Sequence, residues 1–65
     1  MKTAQYEKVC YWTEQRGEPV MLKNIRTGET GVSFGCTNAG ETVQVRLNNG
    51  ELDSWERIEC AETIH

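Results

Sequence analysis

The run Thr42-Val43-Gln44-Val45-Arg46-Leu47-Asn48-Asn49-Gly50-Glu51-Leu52 decides the fold of this chain. Val43, Val45 and Leu47 alternate with Thr42, Gln44 and Arg46. Successive strand side chains leave on opposite faces, so a period of two is the mark of a half-buried strand. Asn49-Gly50 follows, and both residue types tolerate the left-handed backbone that a tight reversal between strands requires. The chain therefore turns back over residues 48–50, and a second strand starts at Leu52.

Working outward, the same alternation recurs between other breaks. Val32, Phe34 and Cys36 alternate with Ser33 and Gly35, and Val20 and Leu22 alternate with Met21 and Lys23 ahead of Ile25. Gly17-Glu18-Pro19, Thr27-Gly28-Glu29-Thr30-Gly31 and Asn38-Ala39-Gly40-Glu41 supply the punctuation. Pro pushes the residue before it out of the helical region, and Gly accepts positive φ. Past Leu52 the strand is weaker, Asp53-Ser54-Trp55-Glu56 accommodates a bend or a 3₁₀ turn, and Ile58 and Cys60 resume the alternation. This phase puts Val32, Phe34, Val43, Val45, Leu47 and Ile58 in the core. The first segment, Gln5 to Arg16, supports two readings. The β-branched and aromatic run Val9-Cys10-Tyr11-Trp12-Thr13 favours a strand over about residues 8–14. Tyr6, Val9, Cys10 and Thr13 also recur at helical spacing. Residues 61–65 are expected to fray.

Between Val20 and Cys60 the chain resembles the small SH3-like barrels of the KOW and Tudor kind. The matching residues are Val20-x-Leu22, Thr27-Gly28-Glu29-x-Gly31-Val32, Val43-x-Val45-x-Leu47, Asn49-Gly50-Glu51 and a closing Trp55, about two thirds of the chain. The resemblance implies an all-β fold, a single five-stranded SH3-like small barrel or strongly bent antiparallel meander, with its barrel core over about residues 19–60. It also implies a binding module for proteins or nucleic acid. The basic loops of KOW domains and a cluster of three aromatics, as in methyl-lysine-binding Tudor domains, are both missing, so neither subfamily's ligand follows from it.

A chain of 65 residues with 37% hydrophobic content has room for one domain spanning 1–65 and a thin margin of stability. A core of this size rarely supplies more than roughly 3–5 kcal/mol net. The net charge of −3 is unevenly spread, with six basic against five acidic residues before Gly50 and one against five from there on. Nucleic-acid binders usually carry a basic stripe, because releasing phosphate counterions drives their affinity. None is visible along this sequence, so nucleic acid ranks second to a protein partner. No apolar run approaches the length of a membrane span. Met1-Lys2-Thr3-Ala4-Gln5-Tyr6-Glu7 has no apolar stretch of the kind that export signals carry. The expected setting is the cytoplasm, with thiols reduced.

Cys10, Cys36 and Cys60 lie far apart and form no C-x-x-C pair, and the single histidine is His65. Zinc sites usually take ligands in closely spaced pairs, because one turn must present two thiolates to one ion. Cys36 in phase with Phe34, and Cys60 with Ile58, instead read as small buried hydrophobes with free thiols. A nucleophilic cysteine or serine needs a neighbouring base, and a terminal His65 is poorly placed to serve. The glycines precede no helix that would cradle a phosphate. The sequence thus points to a non-catalytic protein with no metal and no cofactor.

What remains is aromatic. Counted back from Cys60 and Ile58, Trp55 faces outward together with Arg57, unless it caps one end of the barrel. Arg46 faces away from the core, and of the adjacent Tyr11 and Trp12 one must do so if they lie in a strand. Trp, Tyr and Arg are favoured interface anchors. The sequence therefore assigns Trp55, Arg57, Arg46, Trp12 and Tyr11 to a surface for another protein or a second copy of the chain, with Asp53, Glu56 and Glu59 as an acidic rim.

The strand phase makes a direct expectation. Val45→Asp puts a carboxylate into an apolar interior and unfolds the domain, whereas Gln44→Asp leaves it folded, because an unpaired buried charge costs several kcal/mol. Thermal melts of the two variants check it, and equal midpoints would refute the face assignment.

Overall fold

The computed structural model describes residues 1–37, 39 and 41–63. Asn38 and Gly40 of the third expected turn lie outside the described residues, as do Ile64 and His65 of the expected frayed end. Five strands form one open antiparallel sheet: β1 (Met21–Asn24), β2 (Thr30–Thr37), β3 (Thr42–Leu47), β4 (Leu52–Glu56) and β5 (Cys60–Glu62). Their order is β4-β3-β2-β1-β5, so β1 to β4 make a meander and β5 returns to pair with β1. The alternation of β3 holds as read: Val43, Val45 and Leu47 are buried and Arg46 is exposed.

Turn chemistry holds the hairpins. Gly50 takes φ 90 and donates its N–H to the Leu47 carbonyl, which closes the β3–β4 reversal. Between β1 and β2 the buried Asn24 does the corresponding work. Its Oδ1 accepts the N–H groups of Arg26 and Thr27 at 2.9 and 3.1 Å, and its carbonyl accepts from Gly28. A buried polar side chain that satisfied its own turn would otherwise carry the cost of desolvation.

The first segment is helical, so the strand expected over residues 8–14 is corrected. An α-helix, α1 (Thr3–Cys10), runs into a π-helical turn (Tyr11–Gln15), with the Arg16 N–H bonded to the Tyr11 carbonyl at 3.2 Å. Gly17 at φ 66 ends it, and the Glu18 N–H reaches back to the Trp12 carbonyl. The helical spacing was the physically relevant pattern. Tyr6 and Val9 fall on one face of α1, and with Cys10 they join Leu22, Val43, Val45, Leu47, Trp55 and Cys60 in a single core cluster. The Tyr6 hydroxyl is bonded to the carbonyls of Thr37 and Thr42. Burial, with Glu41 and Glu14 adding to it, pushes that phenol above its ordinary value. The chain's amino group donates to the Arg57 and Cys60 carbonyls, which fastens the start of the helix to the far end of the sheet.

A bulge in β2 overturns the face expected for Val32 and Phe34. Pairing with β3 shifts between Ser33 and Gly35, so Ser33 opposes Val45 and Cys36 opposes Val43. Gly31, Ser33 and Cys36 therefore face inward, while Val32 and Phe34 lie on the other side of the sheet. One extra residue in a strand reverses the facing of everything beyond it. The inner position where the helical segment lands, Ser33, is small. Ser33 Oγ is bonded to Thr13 Oγ1 at 2.6 Å and accepts the Val20 N–H at 2.9 Å. A Cβ at Gly31 would sit 2.7 Å from the Arg46 carbonyl oxygen.

The last stretch corrects further expectations. A 3₁₀ turn occupies Arg57–Glu59, later than expected, and is capped reciprocally by Glu56 and Glu59. It resets the phase, so Trp55 and Cys60 both point inward and Ile58 is 67% exposed. Ala61 and Glu62 are in β5 rather than frayed. The cysteines are corrected as well: Cys10 and Cys36 form a disulfide that fixes the end of α1 to β2, and Cys60 is the buried free thiol. Neighbours in the fold can be bonded whatever their distance in sequence.

The disulfide closes a loop of 26 residues of sequence separation, and cross-linking of that length restricts the unfolded chain by about 3–4 kcal/mol. Cys36→Ser, or treatment of the native protein with a phosphine reductant, should lower the unfolding free energy by about that amount. Denaturant titration with and without reductant measures it. Gly31→Ala should cost about 1–3 kcal/mol by overpacking against backbone that cannot move aside.

Candidate binding face of the sheet

The five residues singled out from the sequence do not form one site. Trp55 is 2% exposed, in the core beside Val43, with its Nε1–H bonded to Asp53 Oδ2 at 3.2 Å. It cannot anchor a partner without the domain opening. Arg57 is half-buried and fully engaged: its Nε pairs with Glu41 and one terminal nitrogen donates to the Met1 carbonyl at 2.9 Å. It tethers the N-terminus to the sheet. The acidic rim is also committed internally, since Asp53 holds Trp55 and the Ser54 N–H, and Glu59 pairs with Arg26 at 2.9 Å.

Arg46 does face outward, in company that the sequence reading missed. It pairs with Leu52 on β4 and with Val32 on β2, and Val32 pairs with Met21 on β1. Leu52, Arg46, Val32 and Met21 thus form a row across four adjacent strands on the face opposite the helix. At the usual strand spacing the row is about 14 Å long. Leu52 is 61% and Met21 43% exposed, and Phe34, lifted out by the β2 bulge, is 48% exposed. Gln44 and Ser54 form a neighbouring pair on the same face, and Gln44 donates to Thr37 Oγ1 at 2.9 Å. The row is therefore an apolar band with one guanidinium inside it and neutral polar groups beside it.

Tyr11 and Trp12 stand at the Met21 end. Their rings meet edge to face, 6.1 Å between centroids, with Tyr11 exposed and Trp12 half-buried. The Arg16 guanidinium lies 5.0 Å over the Trp12 ring. Trp12, Pro19, Val20 and Met21 line a cleft of about 280 Å³ together with Glu18, Glu62 and Thr63. Glu62 is already bonded to Gln5 and paired with Lys8 at 3.5 Å. Met21 is common to the cleft and the row, so Arg46 and Trp12 border one stretch of surface, Tyr11 adjoins it only through the Trp12 ring, and Trp55 and Arg57 do not belong to it.

The charges sort in the same way. Lys8, Arg26 and Arg57 are paired with carboxylates. Among the described residues Lys23 and Arg46 have no carboxylate within ion-pair distance, and both are exposed on the outward face. Glu56 stands at the far corner of that face, opposite Thr42, and serves the 3₁₀ cap.

Other chemistry is sparse. Burial raises the Cys60 thiol above its ordinary value, with the chain's amino group working against this. Its hydrogen bond runs to the Glu56 carbonyl and not to a base. Among the described residues no three Cys, His, Asp or Glu side chains cluster as a metal centre requires. Among the described residues no helix is long and apolar enough to cross a membrane. Comparison with protein-family models, with curated proteins and with solved structures gave no match.

The two tryptophans should report this arrangement separately. Acrylamide should quench Trp12 and leave most of the Trp55 emission intact. Trp12→Phe should then leave a blue-shifted, poorly quenched spectrum. Strong quenching in that variant would show Trp55 to be accessible.

Proposed function

We propose that this domain is a small non-catalytic binding module that docks another protein on the outward face of its sheet. The observation that carries the reading is the row Leu52–Arg46–Val32–Met21 with Phe34 beside it. Apolar side chains gathered in one exposed patch mark interaction surfaces more often than scattered ones do. A guanidinium set among them can form directed hydrogen bonds while its stem packs against apolar neighbours. The SH3-like reading is supported by the meander of four strands and by a 3₁₀ turn that leads β5 back to β1. Trp12 and Tyr11 extend the surface at one end.

A nucleic-acid-binding barrel is the second reading. Phe34 on the same face as two unpaired cations is its support, since aromatic and Arg side chains also stack bases. The aliphatic character of the row favours protein. Residence in the cytoplasm belongs to this proposal only for the reduced form, because disulfides persist in oxidising compartments.

A photoreactive group placed at position 34, compared with one at exposed position 58, tests the reading in the native cell. We expect a discrete protein adduct from position 34 that Leu52→Asp abolishes without lowering the melting temperature. Equal adducts from both positions, or adducts insensitive to Leu52→Asp, would refute it. An adduct of the chain with itself would make the partner a second copy.

A further inference from the structure

We infer that the segment docked on this face is acidic as well as apolar: an extended stretch of a partner protein in which carboxylates accompany large aliphatic side chains. This rests on the docking reading above and adds the partner's chemistry. The argument is one of charge. The chain as a whole carries −3. Yet the outward strand positions present Arg46 within the apolar row and Lys23 two residues along β1 from Met21, with Glu56 at a corner as their one carboxylate and Glu18 in the cleft beyond Met21.

Elsewhere the described cations other than Lys2 have internal partners suited to them. Lys8, Arg26 and Arg57 meet carboxylates, and Arg16 meets the ring of Trp12. Carboxylates spaced along a bound segment would meet Arg46 and Lys23, while its aliphatic groups cover Leu52, Val32, Phe34 and Met21. A basic segment would set like charges against each other, which complementary interfaces avoid. The cleft at Trp12 offers the opposite chemistry on a smaller scale: Arg16 lies over its ring and Lys8 pairs with its Glu62, which leaves Glu18 as its one unpaired carboxylate among the described residues.

The test uses the whole chain and three fluorescein-labelled probes at low ionic strength. They are a peptide of about ten residues alternating Leu with Glu, its Leu–Lys counterpart, and an oligothymidylate. Anisotropy gives affinities, and amide shifts give the location. The Leu–Glu peptide should bind at least about tenfold more tightly than the Leu–Lys peptide and shift Met21, Val32, Phe34, Arg46 and Leu52. Arg46→Glu should reverse the preference. Lys2→Glu, which changes net charge equally but lies off the face, should not. The reversal is a gain of binding to the Leu–Lys probe, which an unfolded variant would not show.

Equal affinity for both peptides, a preference for Leu–Lys, or no binding up to about millimolar peptide would overturn the inference. If the Leu–Lys peptide shifts the same amides, the docking reading survives that failure. If either peptide shifts only residues elsewhere, the docking reading fails too. Oligothymidylate moving these amides when the peptides do not would replace both with the nucleic-acid reading.

Discussion

Tyr6, Val9 and Cys10 of α1 are what make the inner face of this sheet an interior. The sheet is open, and a single open sheet cannot by itself withdraw Leu22, Val43, Val45 and Trp55 from water. The helical segment does so by lying across it. It is held by core packing, by the Tyr6 hydroxyl on the carbonyls of Thr37 and Thr42, and by the Cys10–Cys36 bond. The amino group on the carbonyls of Arg57 and Cys60 ties down the other end. The small Ser33 lets the segment approach β2, and the Thr13–Ser33 bond satisfies the polar groups that are covered there.

That closure also dictates what is left outside. A helix on one face commits the small side of β2 inward, and the bulge between Ser33 and Gly35 keeps Cys36 on that side. Val32 and Phe34 are consequently turned to solvent, in line with Met21 and Leu52. The exposed apolar row is thus the counterpart of the buried one, and Arg46 stands in it because β3 alternates strictly around Val45. A domain with so few large side chains leaves Leu52, Met21 and Phe34 exposed on one face with Val32 half-buried among them, and this is the physical reason for assigning the face a partner.

Much of the sheet was legible in the sequence because β3 and its Asn49-Gly50 reversal are governed by local rules. The Gly17 and Gly28 breaks were legible on the same grounds. The errors share a cause, which is that strand parity cannot be counted through an irregularity. The β2 bulge moved Val32 and Phe34 outward, and the 3₁₀ turn at Arg57–Glu59 moved Trp55 inward and Ile58 outward. The helix was signalled by the spacing of Tyr6, Val9 and Cys10 but was overruled by β-branched and aromatic composition, a weaker guide in a half-buried segment. The disulfide had no local signature, since it depends on where α1 lands. Of the binding surface, Arg46, Trp12 and Tyr11 were within reach of sequence reasoning. Met21 was set opposite Leu22 by the alternation of β1, but its alignment with Leu52 was not legible, because it depends on register across four strands.

The central claim is that α1 covers the face bearing Val45 and leaves the face bearing Val32 open. Solvent paramagnetic relaxation of methyl groups, using an inert soluble gadolinium chelate, tests it most directly. The methyls of Met21, Val32 and Leu52 should relax strongly, while those of Val9, Leu22, Val43 and Val45 stay protected. Protection of Val32 comparable to that of Val45, or strong relaxation at Val9, would contradict the account.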